Sequence, residues 1–124
     1  MDEQPPRIKL PIAFRVEAKM RDVAIDPVSE AALMATVAHL LNRNVAMSAP
    51  FELSELFGDP ILRKLHSGYR AVILSDVGND VLTAGLARLV RKGYLTSTDS
   101  IEEGVVKYHY KPTEILLSMM EEVA

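Results

Sequence analysis

The chain has no cysteine, which excludes disulfides and thiolate metal sites and removes any pointer to secretion. No apolar run approaches the roughly 18–20 residues that span a bilayer, so no membrane association is expected. The opening residues, Met1-Asp2-Glu3-Gln4-Pro5-Pro6, are acidic and proline-containing, the wrong chemistry for a signal peptide. A cytoplasmic protein is the resulting expectation. The glycine-rich phosphate loop and the Gly-x-Ser-x-Gly nucleophile turn are missing, as is any compelling pair of catalytic carboxylates. The three histidines, His39, His66 and His109, share no His-x-x-x-His spacing. Asp76 and Asp80 flank Gly78 without the run of oxygen ligands and closing Glu of a calcium loop. The expectation is a protein that is not an enzyme and holds neither metal nor cofactor. No internal repeat, low-complexity segment or linker is present.

The composition is ordinary: 48% apolar and 25% charged residues over 124 positions suit one soluble domain with its own core. The net charge of −3 conceals blocks. Residues 1–21 carry +2, residues 22–59 carry −5, residues 60–98 carry +4 and residues 99–124 carry −4. A slightly acidic protein can still meet nucleic acid through one basic face, and residues 60–98 supply it.

Along the chain, Ile8, Leu10, Ile12, Phe14 and Val16 alternate with more polar neighbours, as in a strand that Pro11 would confine to an edge. Equally, a helix from Pro11 would align Ile12, Val16, Met20 and Val23. Both readings stay open, and residues 1–25 are expected as an N-terminal arm or edge strand. Asp26-Pro27 is a cap-and-proline helix start, and Leu33, Val37, Leu40, Leu41 and Asn44 continue it to an end near Arg43 and Asn44. Ser48 and Pro50 open a short helix with Leu53, Leu56 and Phe57 inward, closed by Gly58. Asp59-Pro60 starts another, which Gly68 would end. Residues 69–74 fit a strand or a short helix. Ser75 to Asn79 form a turn, with Asn79 or Asp80 capping an amphipathic helix over 80–92 that Gly93 ends. A strand at Thr96-Ser97-Thr98, a polar turn from Asp99 to Gly104 and a return strand from Val105 to Tyr110 form a hairpin. Ile115, Leu116, Met119, Met120 and Val123 make an apolar stripe on a C-terminal helix.

The order of these elements carries a resemblance. Leu82, Leu86, Leu89, the run Arg91-Lys92-Gly93-Tyr94-Leu95 and the stretch from Tyr108 to Glu114 resemble winged helix-turn-helix proteins, closest in flavour to small prokaryotic regulators of the MarR and PadR kind. The likeness covers residues 80–114 well and residues 29–75 loosely. The fold class expected is therefore mainly α with a small β-hairpin, an α+β winged helix-turn-helix, with residues 26–124 as the winged-helix domain and its C-terminal helix.

The resemblance implies double-stranded DNA as partner, with helix 80–92 in the major groove of an operator and the chain acting as a transcriptional regulator. Thr83, Ala84, Ala87 and Arg88 would face DNA, Arg91 and Lys92 would hold phosphate, and Lys107 and His109 would reach DNA from the hairpin. Arg88, Arg91 and Lys92 also suit a solvated helix end, where cations complement the helix dipole. Arg63, Lys64 and Arg70 read as surface charge. The C-terminal stripe either packs within the chain or forms a homodimer seam, for which methionines adapt well. The hairpin tip, Asp99 to Gly104, carries three acids and no cation, and phosphate would repel it. That motivates an alternative: a winged-helix interaction module that leaves DNA alone and holds a protein partner by the acidic hairpin or the C-terminal helix.

Overall fold

The computed structural model describes residues 26–65 and 67–123, leaving aside the side chains of Ser67 and residues 121–123. The expectations for the arm at 1–25, for residues 8–16 and for His66 lie outside the described residues. The fold is α+β, with five α-helices, a short 3-10 helix and one two-stranded antiparallel hairpin among the described residues. No described helix is long and apolar enough to cross a membrane.

Helix α1 spans Pro27–Asn42 and begins as its sequence implies. Asp26 accepts from the Ser29 backbone N–H at 2.9 Å and from the Ser29 hydroxyl at 2.8 Å, and Pro27 fills the first turn. The helix marked by Leu33, Val37 and Leu40 at helical spacing is buried on all sides from Ala31 to Leu40. Ala31, Ala32, Ala35 and Ala38 occupy the other faces, and small residues let neighbouring elements close around the whole circumference. Buried Thr36 donates its hydroxyl to the Ala32 carbonyl at 2.7 Å, which satisfies it inside this shell.

Arg43 ends α1 and organises the loop after it. Its guanidinium donates to the carbonyls of Pro50 (3.1 Å), Ala46 (3.2 Å), Met47 (3.3 Å) and Ala49. That clamp delivers Phe51, fully buried, to an isolated antiparallel bridge with Tyr110, each exchanging backbone bonds of 2.8 Å. Helix α2, Leu53–Gly58, is shorter than expected because Glu52 caps it, and the Glu55 carboxylate reaches back to the Glu52 N–H at 2.8 Å. Leu56 is buried, whereas Phe57, expected inward, is exposed. Asp59 then caps the 3-10 helix Pro60–Lys64 through Ile61 N–H, and its carboxylate also meets buried His39 Nδ1 at 2.7 Å and Asn42 at 2.9 Å.

Helix α3, Ser67–Ile73, resolves the strand-or-helix question at 69–74 and includes Gly68, expected as a terminator. Ile73 is buried, while Val72 and Leu74 are exposed. A turn at 74–77 leads to α4, Gly78–Arg91. The helix starts before the expected caps Asn79 and Asp80, with Val77 at the N-cap position and no side-chain cap. Gly78 is required there because a Cβ would collide with the Ile73 carbonyl.

Helices α1 and α4 form the principal helix–helix contact. Leu82, Gly85, Leu86 and Leu89 of α4 face inward, and Gly85 lies so close to α1 that a Cβ would strike Ala32 Cβ and come within 2.7 Å of the Val28 carbonyl. The end of α4 is a Schellman motif: Gly93 (φ 86°) donates to Val90, and Tyr94 donates to Leu89. Strands β1 (Leu95–Glu102) and β2 (Val105–Pro112) come next, in a register that pairs Leu95 with Pro112 and Glu102 with Val105. The polar turn expected over Asp99–Gly104 is therefore only Glu103-Gly104, both at positive φ (53° and 80°), the geometry of a tight two-residue hairpin. Thr113 ties the hairpin back to α4 by donating its hydroxyl to the Gly93 carbonyl at 2.6 Å, and α5 (Glu114–Val123) closes the described chain.

Candidate nucleic-acid interface

The α4 stripe opposite Leu82, Leu86 and Leu89 is open to solvent. Asp80, Thr83, Ala84, Ala87 and Arg91 are all exposed, spaced as one face of a 3.6-residue helix. Thr83 donates its hydroxyl to the Asn79 carbonyl at 2.7 Å. Beside this stripe stands the hairpin face bearing Ser97, Tyr108 and Tyr110. Two clefts of about 410 and 320 Å³ run between them, sharing Thr83, Tyr108 and Tyr110. Glu52, Leu53, Ser54 and Lys107 complete the larger; Ala87, Val90 and Ser97 complete the smaller. Burial, and then the neighbouring Tyr108, push the Tyr110 hydroxyl pKa above its ordinary value.

The cations divide into two groups. Arg88, half-buried, donates from Nη1 to the Asp26 cap at 2.7 Å, so it links α4 to the start of α1. Partial burial alone would raise the Asp26 pKa, but the Ser29 backbone and hydroxyl bonds and the Arg88 guanidinium outweigh it and hold the carboxyl well below the usual range. Lys107 pairs with Glu102 at 3.1 Å, and that carboxylate, with the farther Glu52, raises its pKa. His109 Nε2 lies 3.5 Å from a Glu52 carboxylate oxygen. Arg91 and Lys92, in contrast, are exposed at the end of α4, directed into solvent. Thus Thr83, Ala84, Ala87 and Arg91 share one accessible stripe and Lys92 is exposed just past its end, while Arg88, Lys107 and His109 are engaged by carboxylates of the same chain.

The expected dimer seam divides similarly. Leu116, Met119 and Met120 are buried within the single chain, Ile115 is 59% exposed, and the side chain of Val123 lies outside the described residues. Residues that pattern reading placed on elements but did not assign to the site are Ser97, Tyr108 and Tyr110, and Phe51 was not marked at all. The alternation of β2 signals the two tyrosines, which fall on one face; nothing local marks Phe51, whose position depends on a bridge to a strand 59 residues later. Among the described residues, no group of three or more His, Asp or Glu side chains is placed to hold a metal ion.

Comparison with protein-family models, with curated proteins and with solved structures found no match to this chain.

Proposed function

We propose that this chain is a winged-helix protein that binds double-stranded DNA sequence-specifically, laying α4 in the major groove, and serves as a small transcriptional regulator. The observation that carries this reading is the open α4 stripe. Helix α3, a short turn and α4 are followed at once by a hairpin, the element order of such readers. On the stripe, Ala84 and Ala87 are small enough for the helix to approach base edges, and an Ala methyl suits contact with a thymine methyl. Thr83 offers a hydroxyl near the start of the helix, and Arg91 with Lys92 offers charge for phosphate at its end.

Selection of bound fragments from a random duplex library tests the proposal. The wild type is expected to enrich a sequence motif, and Ala84→Glu/Ala87→Glu is expected to lose it while retaining the fold, since both sites are exposed and Glu is a good helix former. A library that returns unenriched sequence overturns the reading.

A second reading, an interaction module that does not engage DNA, draws on one observation. The hairpin cations Lys107 and His109 lie against Glu102 and Glu52, while Ile101, Val105 and Val106 at its end are exposed. Charge reversal at Glu102 and Glu103 separates the two. Tighter duplex binding identifies a hairpin that lies on DNA, and loss of a protein contact, with no duplex binding before or after the reversal, identifies a docking hairpin.

A further inference from the structure

Two exposed patches complement each other in charge, and both stand open to solvent among the described residues. At the hairpin end, Ile101 and Val106 are direct cross-strand partners, 75% and 48% exposed, next to the turn at Glu103-Gly104. Over residues 99–107, Asp99, Glu102 and Glu103 outnumber the single cation Lys107, which Glu102 already engages. The other patch surrounds α3 and the turn after it. Arg70 reaches across the 3-10 helix end and donates from Nη1 to the Arg63 carbonyl at 3.2 Å. Leu74 donates its backbone N–H to the Arg70 carbonyl, so it stands one helical turn beyond, and Leu74 and Val77 are about half exposed. Over residues 63–77, Arg63, Lys64 and Arg70 outnumber the single carboxylate Asp76.

We propose that a second copy of this chain covers both patches: the hairpin end of each protomer seats against α3 and the 74–77 turn of its partner, around a two-fold axis. Each patch joins exposed aliphatic surface to net charge, the usual mark of an interaction site. Hairpin end against hairpin end sets acid against acid, and α3 against α3 sets base against base; only the crossed contact is attractive. A stable interface needs about 800 Å² from each partner, more than one hairpin end supplies, and reciprocal exchange uses the contact twice. The stripe at 115–123 leaves little for such a role, because Leu116, Met119 and Met120 are already buried. This pairing does not depend on DNA binding.

Light scattering of the full chain without DNA tests it. The wild type is expected at twice the 13.7 kDa chain mass at low salt and at the chain mass at high salt. Glu102→Arg/Glu103→Arg and Arg63→Glu/Arg70→Glu are each expected to be monomeric, with unchanged circular dichroism because all four sites are exposed. Mixed together, the two variants restore both crossed contacts and return to the dimer mass. A monomeric wild type, a dimer that survives either reversal, or a mixture that stays monomeric overturns the proposal. Growth of the mixture beyond the dimer mass refutes the two-fold closure.

Discussion

Asp26 shows how a single side chain serves both local and distant structure. It caps α1 through Ser29 and receives Arg88 from a helix 62 positions away. Because its carboxyl is held below the ordinary value of about 3.9, the folded state favours the ionised form. That contribution is complete above about pH 5 and disappears as pH falls through the depressed pKa of the folded state. Asp26→Asn keeps a capping oxygen but removes the charge. Its stability deficit, read from urea unfolding, is expected to be largest at neutral pH and to close progressively below about pH 4. A deficit that stays constant across that range contradicts the charge coupling. Arg43 is the second such residue. Four carbonyls around one guanidinium need a planar fork, which lysine does not offer. Arg43→Lys is expected to destabilise by roughly 1–2 kcal/mol and to speed hydrogen exchange at Phe51 and Tyr110; unchanged exchange there contradicts the clamp.

At the scale of elements, the contact of α1 with α4 sets where the exposed stripe points. Gly85 permits that approach, so Gly85→Ala tests it. On an isolated helix this change would help by about 1 kcal/mol. Here the new methyl meets Ala32 and the Val28 carbonyl, and net destabilisation of roughly 1–3 kcal/mol is expected in thermal unfolding. A stabilised variant would mean that the helices are not so closely packed.

The elements also show which sequence signals were legible. Asp26-Pro27, Asp59-Pro60 and Gly93 mark boundaries because each satisfies its backbone with residues next to it. The Leu82, Leu86 and Leu89 spacing reveals the inner face of α4 for the same reason. The start of α4 was hidden because Gly78 is selected by the Ile73 carbonyl, a steric demand and not a cap. The length of the hairpin was hidden because Glu103, no typical turn residue, takes the positive φ that allows Ile101 and Glu102 to pair. Burial all round α1 was hidden because alanines give no amphipathic contrast.

Over the whole molecule, charge segregation becomes spatial organisation only in part. The basic block at 60–98 separates into Arg63, Lys64 and Arg70 around α3, Arg91 and Lys92 at the end of α4, and Arg88 drawn to Asp26. Exposure of Thr83, Ala84, Ala87 and Arg91 was readable from helical spacing. The engagement of Arg88, Lys107 and His109 was not, since their carboxylate partners come from other elements or across the hairpin. Under the proposed function, DNA phosphate contact therefore falls to Arg91 and Lys92, and Arg88 serves the scaffold. The most direct measurement is fluorescence anisotropy of a mixed duplex titrated with protein over a range of salt. Affinity is expected to fall steeply as salt rises, and Arg91→Ala/Lys92→Ala to reduce the slope of log affinity against log salt by roughly two per bound chain. Absence of binding at low salt, or a slope unchanged in that variant, would contradict the assignment of α4 as the DNA-binding element.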